Sequence, residues 1–263
     1  MTNKNLHNEQ EIDQDLGNNI PKGCQNQVDL NPEQEVFDKQ NVNKVLQAKS
    51  AKKFVLRVII YVVGLIFIGL GVAFAINSNL GISAASSLPY IIYLATNIPL
   101  SVTITLTYAV WVILQWCILG KKFAWYNVFQ LIFSTIFGYS CDLWKLVLGG
   151  FCFPTYFGQL GMLAIAVILI AFGVFLYVEV DLLPLPVEGL ALAITKKQKK
   201  FSFSTFKILV DVFMVISSII LSLIVFGKVV GIREGTVILA LTVGLVIKLL
   251  QRPLRPLLRK ICF

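Results

Sequence analysis

Few residues in this chain could do chemistry in an apolar setting, and their spacing is informative. Beyond residue 50 the only acids are Asp142, Glu179, Asp181, Glu188, Asp211 and Glu234. Asp211 stands in the third turn of an apolar run. A carboxylate at the centre of a bilayer costs about 2.5 kcal/mol or more unless it is paired or faces water. Lys207 lies one helical turn before it, so the two can form an ion pair. Ser204, Lys207, Asp211, Ser218 and Ser222 share one helical stripe, which should face protein or a wet cavity rather than lipid. Two readings of the pair stay open. It is a helix-packing contact near the interface with the lysine snorkelling outward, or it is a ligand or proton site. Glu188 follows Pro186 at the start of a short apolar segment, where proline is favoured and an acid complements the positive helix end. Inside a membrane that helix end would hold an anion, or the acid itself a cation or proton.

Further candidates surround these three. Glu179 and Asp181 either mark where a helix emerges into water or add to a charged site. Arg233 and Glu234 open the last apolar run, where Glu234 suits the helix dipole and Gly235 permits close packing. Asn77, Asn79 and Ser86 interrupt the first apolar run with neutral polar groups. Ser101, Thr105, Tyr108 and Gln115 form one polar stripe, and Asn127, Gln130, Ser134, Gly138 and Asp142 another. Such stripes serve helix packing or line a path for a polar solute. The single histidine is His7, and the five cysteines are scattered without metal-ligand spacing, so no metal or cofactor is expected. No nucleophile elbow, Walker loop or zinc-helix motif occurs, and the chain is not expected to be an enzyme. A lipid-modifying enzyme without histidine is the remaining catalytic option.

The elements that must position these residues follow from composition. The chain has 263 residues, 57% of them apolar and 14% charged, with mean hydropathy +0.78. A soluble domain of this size needs more charge on its surface, so this is a polytopic membrane protein in contact with a lipid bilayer. Apolar runs at about 54–77, 100–119, 123–147, 160–178, 203–227 and 233–250 are long enough to cross as helices. Segments at about 84–97 and 186–197 are too short and suit re-entrant helices. Residues 1–50 carry eight acids and five lysines among many Asn and Gln, and are expected to be disordered. Six spans with both termini inside place sixteen Lys/Arg in the cytoplasm against three outside. That bias accounts for the basic charge, so no nucleic-acid partner is expected.

The polar interruption recurs. Sliding by 102 residues sets "FIGLGVAFAINSNLGISAASSL" (67–88) over "LIAFGVFLYVEVDLLPLPVEGL" (169–190). Gly71 then meets Gly173, Asn77 meets Glu179, Asn79 meets Asp181 and Ser86 meets Glu188. Further on, a slide of 106 pairs Gly138 with Gly244. Paired, Gly/Pro-interrupted segments in matching positions of two halves point to a transporter binding site.

"PVEGL" (186–190), "SFSTFKILVD" (202–211) and "GIREGT" (231–236) together resemble the second half of the YczE/YitT-type bacterial integral membrane proteins. The resemblance covers roughly 55–250 and implies the same membrane architecture. In that family both broken segments tend to carry Leu-Gly followed by Pro-x-Asp. Here Pro186 stands with Glu188 in place of the aspartate, and Asp211 follows Lys207. The first half keeps Leu80 and Gly81 but has Ala84 and Ser86 where Pro and Asp would stand.

The expected fold is an all-α polytopic membrane protein with two internal repeats, each of three spanning helices plus one short broken helix, inverted with respect to each other. Its segments are a polar tail (1–50), repeat one (51–150), repeat two (151–252) and a basic cytoplasmic tail (253–263). The expected function is secondary transport of a small polar or charged solute across a bacterial cytoplasmic membrane, with proton or cation coupling through Glu188 or Asp211. A membrane-embedded accessory or scaffold protein that moves nothing is the alternative.

Overall fold

The structure, a computed structural model, describes residues 32–197 and 203–262. The chain divides into two compact units, residues 1–49 and 50–263. In the first unit the described residues are helical from Pro32, where the sequence suggests a disordered tail. Proline fits the first helical turn, and the stretch after it is rich in Glu, Gln and Lys and free of glycine. The remainder of the expected tail, 1–31, lies outside the described residues.

Eight α-helices follow in order among the described residues: α1 (Pro32–Asn77), α2 (Ala84–Thr96), α3 (Leu100–Leu119), α4 (Gln130–Leu148), α5 (Tyr156–Glu179), α6 (Pro186–Lys197), α7 (Phe203–Phe226) and α8 (Glu234–Cys262). No strand occurs among the described residues. Six segments are long and apolar enough to cross a membrane: Lys52–Asn77, Leu100–Leu119, Trp125–Leu148, Tyr156–Glu179, Thr205–Phe226 and Glu234–Pro256. The third starts with a 3-10 turn, Trp125–Phe129, that leads into α4. With 13 and 12 residues, α2 and α6 fall short of the ~20 that a hydrocarbon core requires. The protein is therefore an integral, multi-pass membrane protein. The last helix outruns its expected end near 250. It carries Pro253 and Pro256 within it, and the basic 253–262 segment is helical.

Both polar interruptions are genuine breaks. Helix α1 ends at Asn77 and α5 at Glu179, and each break turns through a residue with left-handed backbone, Asn79 at φ 57 and Asp181 at φ 48. Asn and Asp reach that conformation more readily than other non-glycine residues because their short polar side chains bond locally. Pro186 then starts α6, since its missing N–H would have no partner in a first turn.

Small residues set the close approaches. Helices α1 and α5 cross with Gly64 against Gly173; a Cβ on Gly173 would sit 2.5 Å from the Gly64 carbonyl oxygen. Gly71 meets the Ala166 carbonyl the same way, at 3.0 Å. Helices α3 and α4 touch where Gly138 meets the Ser101 backbone. One turn along α4, Asp142 accepts the Leu100 and Ser101 amides at 3.2 and 2.9 Å, satisfying the free donors at the start of α3. The short helices α2 and α6 each pack on α3 and α7, while α8 packs on α5.

Candidate functional site

The packing leaves a cavity of about 440 Å³ to which every one of these eight helices contributes a wall. Most of the wall is apolar, including Ile68, Phe137, Ile170, Val174, Leu239, Val243 and Ile247. The polar part is concentrated in Ser83, Ser86, Tyr108, Tyr177, Glu188, Lys207 and Asp211. Glu188, Lys207, Asp211 and Ser86, four of the sequence candidates, thus share one chamber.

Glu188 is held from several sides. It lies in the first turn of α6, and the Tyr177 hydroxyl at the end of α5 donates to its Oε2. The turn itself is fixed by Gln115 of α3, whose Nε2 donates to the Pro186 carbonyl at 2.9 Å and to Gln130 Oε1 at 3.3 Å. Both glutamines are buried. They lie against Gly189, where a Cβ would fall 2.8 Å from the Gln115 amide nitrogen. Tyr61 donates to the Leu183 carbonyl at 2.9 Å and stacks edge-on to Tyr177, with centroids 5.6 Å apart. The loop before α6 is thereby pinned to α1 and α5.

Lys207 Nζ and Asp211 Oδ1 are 2.7 Å apart on α7, an ion pair about a quarter exposed (26% and 28%). Taken alone, such an i,i+4 pair contributes only ~0.3–0.5 kcal/mol. What matters more is its place on the chamber wall. Ser86 is buried and receives a hydrogen bond from Ser83 at 3.2 Å. A second cavity of about 300 Å³, lined by Asp181, Leu182, Leu183 and Pro184, shares Tyr177, Glu188 and Lys207 with the first. These three side chains stand between the two spaces.

The other candidates lie elsewhere. Asn77 donates to the Gly149 carbonyl at 3.1 Å and Asn79 to the Cys152 sulfur at 3.5 Å. Arg233 donates to the Asn79 carbonyl at 3.1 Å and pairs with Glu234 at 3.2 Å, both side chains being exposed. These four tie the first break to the 149–152 loop and the start of α8, and do not line the chamber. Glu179 does not emerge into water. It is buried and pairs with Arg255 at 3.3 Å, because α8 runs far enough to bring Arg255 and Gln251 over it. The Asp181 carbonyl accepts from Arg57 at 3.0 Å, while the residue itself lines the second cavity. Along α7, Ser218 bonds Ser87 at 2.9 Å and Ser222 takes the Val230 amide at 2.9 Å, so the stripe leaves the chamber after Asp211. In the other two stripes Ser101, Gly138, Gln130, Gln115 and Asp142 serve packing and capping, and only Tyr108 reaches the chamber.

Tyr177 carried no signal in the sequence. It is separated from Glu188 by the break, where helical spacing gives no guide to contact. Among the described residues no group of His, Cys, Asp or Glu could hold a metal ion. The chamber can offer a carboxylate, an ion pair, hydroxyls and aromatic side chains to a solute.

One family model, described as a family of unknown function, matches residues 55–252. No curated protein and no solved structure matches the chain.

Proposed function

The chain belongs to that family, DUF6198, and with this as premise we propose that it is a secondary transporter for a small polar or charged solute, not an enzyme. The observation that carries the reading is the chamber. An acid sits on the helix after a break and an ion pair on its neighbour, the pair within the Thr205–Phe226 span, where unpaired charge is costly. Discontinuous helices lining a central site are the pattern of inverted-repeat transporters.

Several features support two repeats. The helix ends Asn77 and Glu179, the left-handed residues Asn79 and Asp181, and the helix starts Ala84 and Pro186 all keep the register of 102 found in the sequence. The contact of Gly64 with Gly173 is mirrored by that of Ala166 with Gly71. With three crossings in each half, the halves are inverted. Both termini then face the cytoplasm of a bacterium, and a proton or cation couples through Glu188 or Asp211. The narrower kinship with the YczE/YitT-type proteins belongs to this proposal and rests on the "PVEGL" and "GIREGT" motifs.

The test is solute flux in proteoliposomes across a panel of polar solutes, comparing wild type with Glu188→Gln and Asp211→Asn. Loss of flux in both variants with intact insertion is expected; unchanged flux removes the proposal. The separate unit 1–49 favours a second reading, in which that segment docks a partner and the membrane part moves nothing. Deleting residues 1–48 separates the two, since a transporter keeps its flux without them.

A further inference from the structure

The chamber's mouth and charge narrow its solute. Ile208 of α7 and Ala240 and Gly244 of α8 line the chamber yet are exposed. A Cβ on Gly244 would meet nothing within 4 Å. Since these exposed lining residues stand on α7 and α8, the mouth lies between those two helices. Gly244 sits near the middle of the Glu234–Pro256 span, and Ile208 one turn inside Thr205–Phe226. In a bilayer of roughly 30 Å hydrocarbon thickness, that gap opens onto lipid chains rather than water. A solute using it must tolerate the apolar phase.

The polar end selects charge. The Lys207–Asp211 pair is internally neutralised at 2.7 Å, which leaves the Glu188 carboxylate as the uncompensated formal charge on the wall. The positive end of α6 offsets about half of it. Tyr108, Phe137 and Tyr177 present aromatic rings to the same space, and aromatic faces attract cations. The volume of about 440 Å³ falls in the ~300–1,000 Å³ range of small-molecule sites.

We infer that the chamber binds a small amphiphilic cation, an apolar body carrying a protonated amine, which enters sideways from the bilayer between α7 and α8 with its amine directed to Glu188. This rests on the reading of the chamber as the solute site and names the solute's class.

The test is equilibrium binding to the full chain in phosphatidylcholine nanodiscs, with empty discs subtracted for partitioning. The probes are octylammonium, octanoate and methylammonium. Saturable octylammonium binding is expected, with octanoate and methylammonium each at least 100-fold weaker. Glu188→Gln should weaken octylammonium at least 10-fold. Gly244→Leu, which puts a side chain into the mouth where nothing stands, should weaken it similarly while thermal stability is no lower than that of the wild type. Because Gly244→Leu leaves the charged groups intact, it keeps the test decisive if Glu188→Gln folds poorly. Equal binding of methylammonium overturns the lateral, apolar route; equal or better binding of octanoate overturns the cation assignment. Octylammonium binding untouched by both substitutions overturns the site. Failure of the transport reading looks different: octylammonium binds as expected, but no solute crosses the proteoliposome.

Discussion

The same small change at two glycines should have opposite effects. Gly138 of α4 and Gly244 of α8 stand at matching places in the two halves, 106 residues apart, yet their surroundings differ. A methyl group on Gly138 would lie 2.7 Å from Ser101 Cα and 2.9 Å from its carbonyl oxygen, both backbone atoms that cannot rotate away. To restore ordinary contact at 3.4 Å, α3 and α4 must part by about 0.7 Å. The strain falls on the turn that Asp142 caps. Overpacking of this kind costs about 1–3 kcal/mol. At Gly244 the methyl meets open space, and replacing a helical glycine with alanine gains about 0.5–1 kcal/mol. The two variants should thus differ by ~2–4 kcal/mol. At about 2–4 °C per kcal/mol for a unit of this size, their unfolding temperatures should stand ~5–15 °C apart. Thermal unfolding of Gly138→Ala and Gly244→Ala in the same detergent, followed by tryptophan fluorescence, reads the difference as a ranking. Equal midpoints, or a lower midpoint for Gly244→Ala, would refute the account of a closed first half and an open second half.

Two further expectations concern the supports of the site. Asp142→Ala removes both side-chain bonds to the start of α3 and should lower stability by ~1–2 kcal/mol, measured by the same thermal unfolding. Gln115→Leu leaves the Pro186 carbonyl and Gln130 without their buried partner. It should cost ~1–3 kcal/mol and loosen the turn bearing Glu188, so octylammonium affinity falls in discs even where the protein stays folded.

The spans were legible because length and hydropathy decide what crosses a bilayer, and the two breaks because Asn, Asp, Gly and Pro cluster where apolar residues should continue. Glu188 and the Lys207–Asp211 pair stood out because charge in such a run requires a reason, and they do meet in one chamber. Asn77 and Asn79 looked equally suited, yet they serve the 149–152 loop. At the end of a helix and at a left-handed residue, sequence periodicity no longer tells where a side chain points. Glu179 resembled a residue surfacing into water, because its partner Arg255 lies 76 positions away on a helix that outran its apolar run. The buried Gln115–Gln130 amides read as ordinary packing, since their use depends on Gly189, which only folding brings between them.

The grip on the second break has a consequence for biosynthesis. Arg57 holds the Val180 carbonyl at 2.9 Å from the beginning of the first span, and Arg255 holds Glu179 from the far end of the last. One clamp joins residues 123 positions apart, and the other needs nearly all of α8 to have been made. Contacts so distant along the chain form late, after their loop-closure entropy has been met. A nascent chain released before α8 is inserted would carry Glu179 without Arg255, with Arg57, Tyr61 and Gln115 alone to hold the second break. The two arginines, one from the first span and one from the last, thus meet at the same break, which is complete only once the end of α8 has been made.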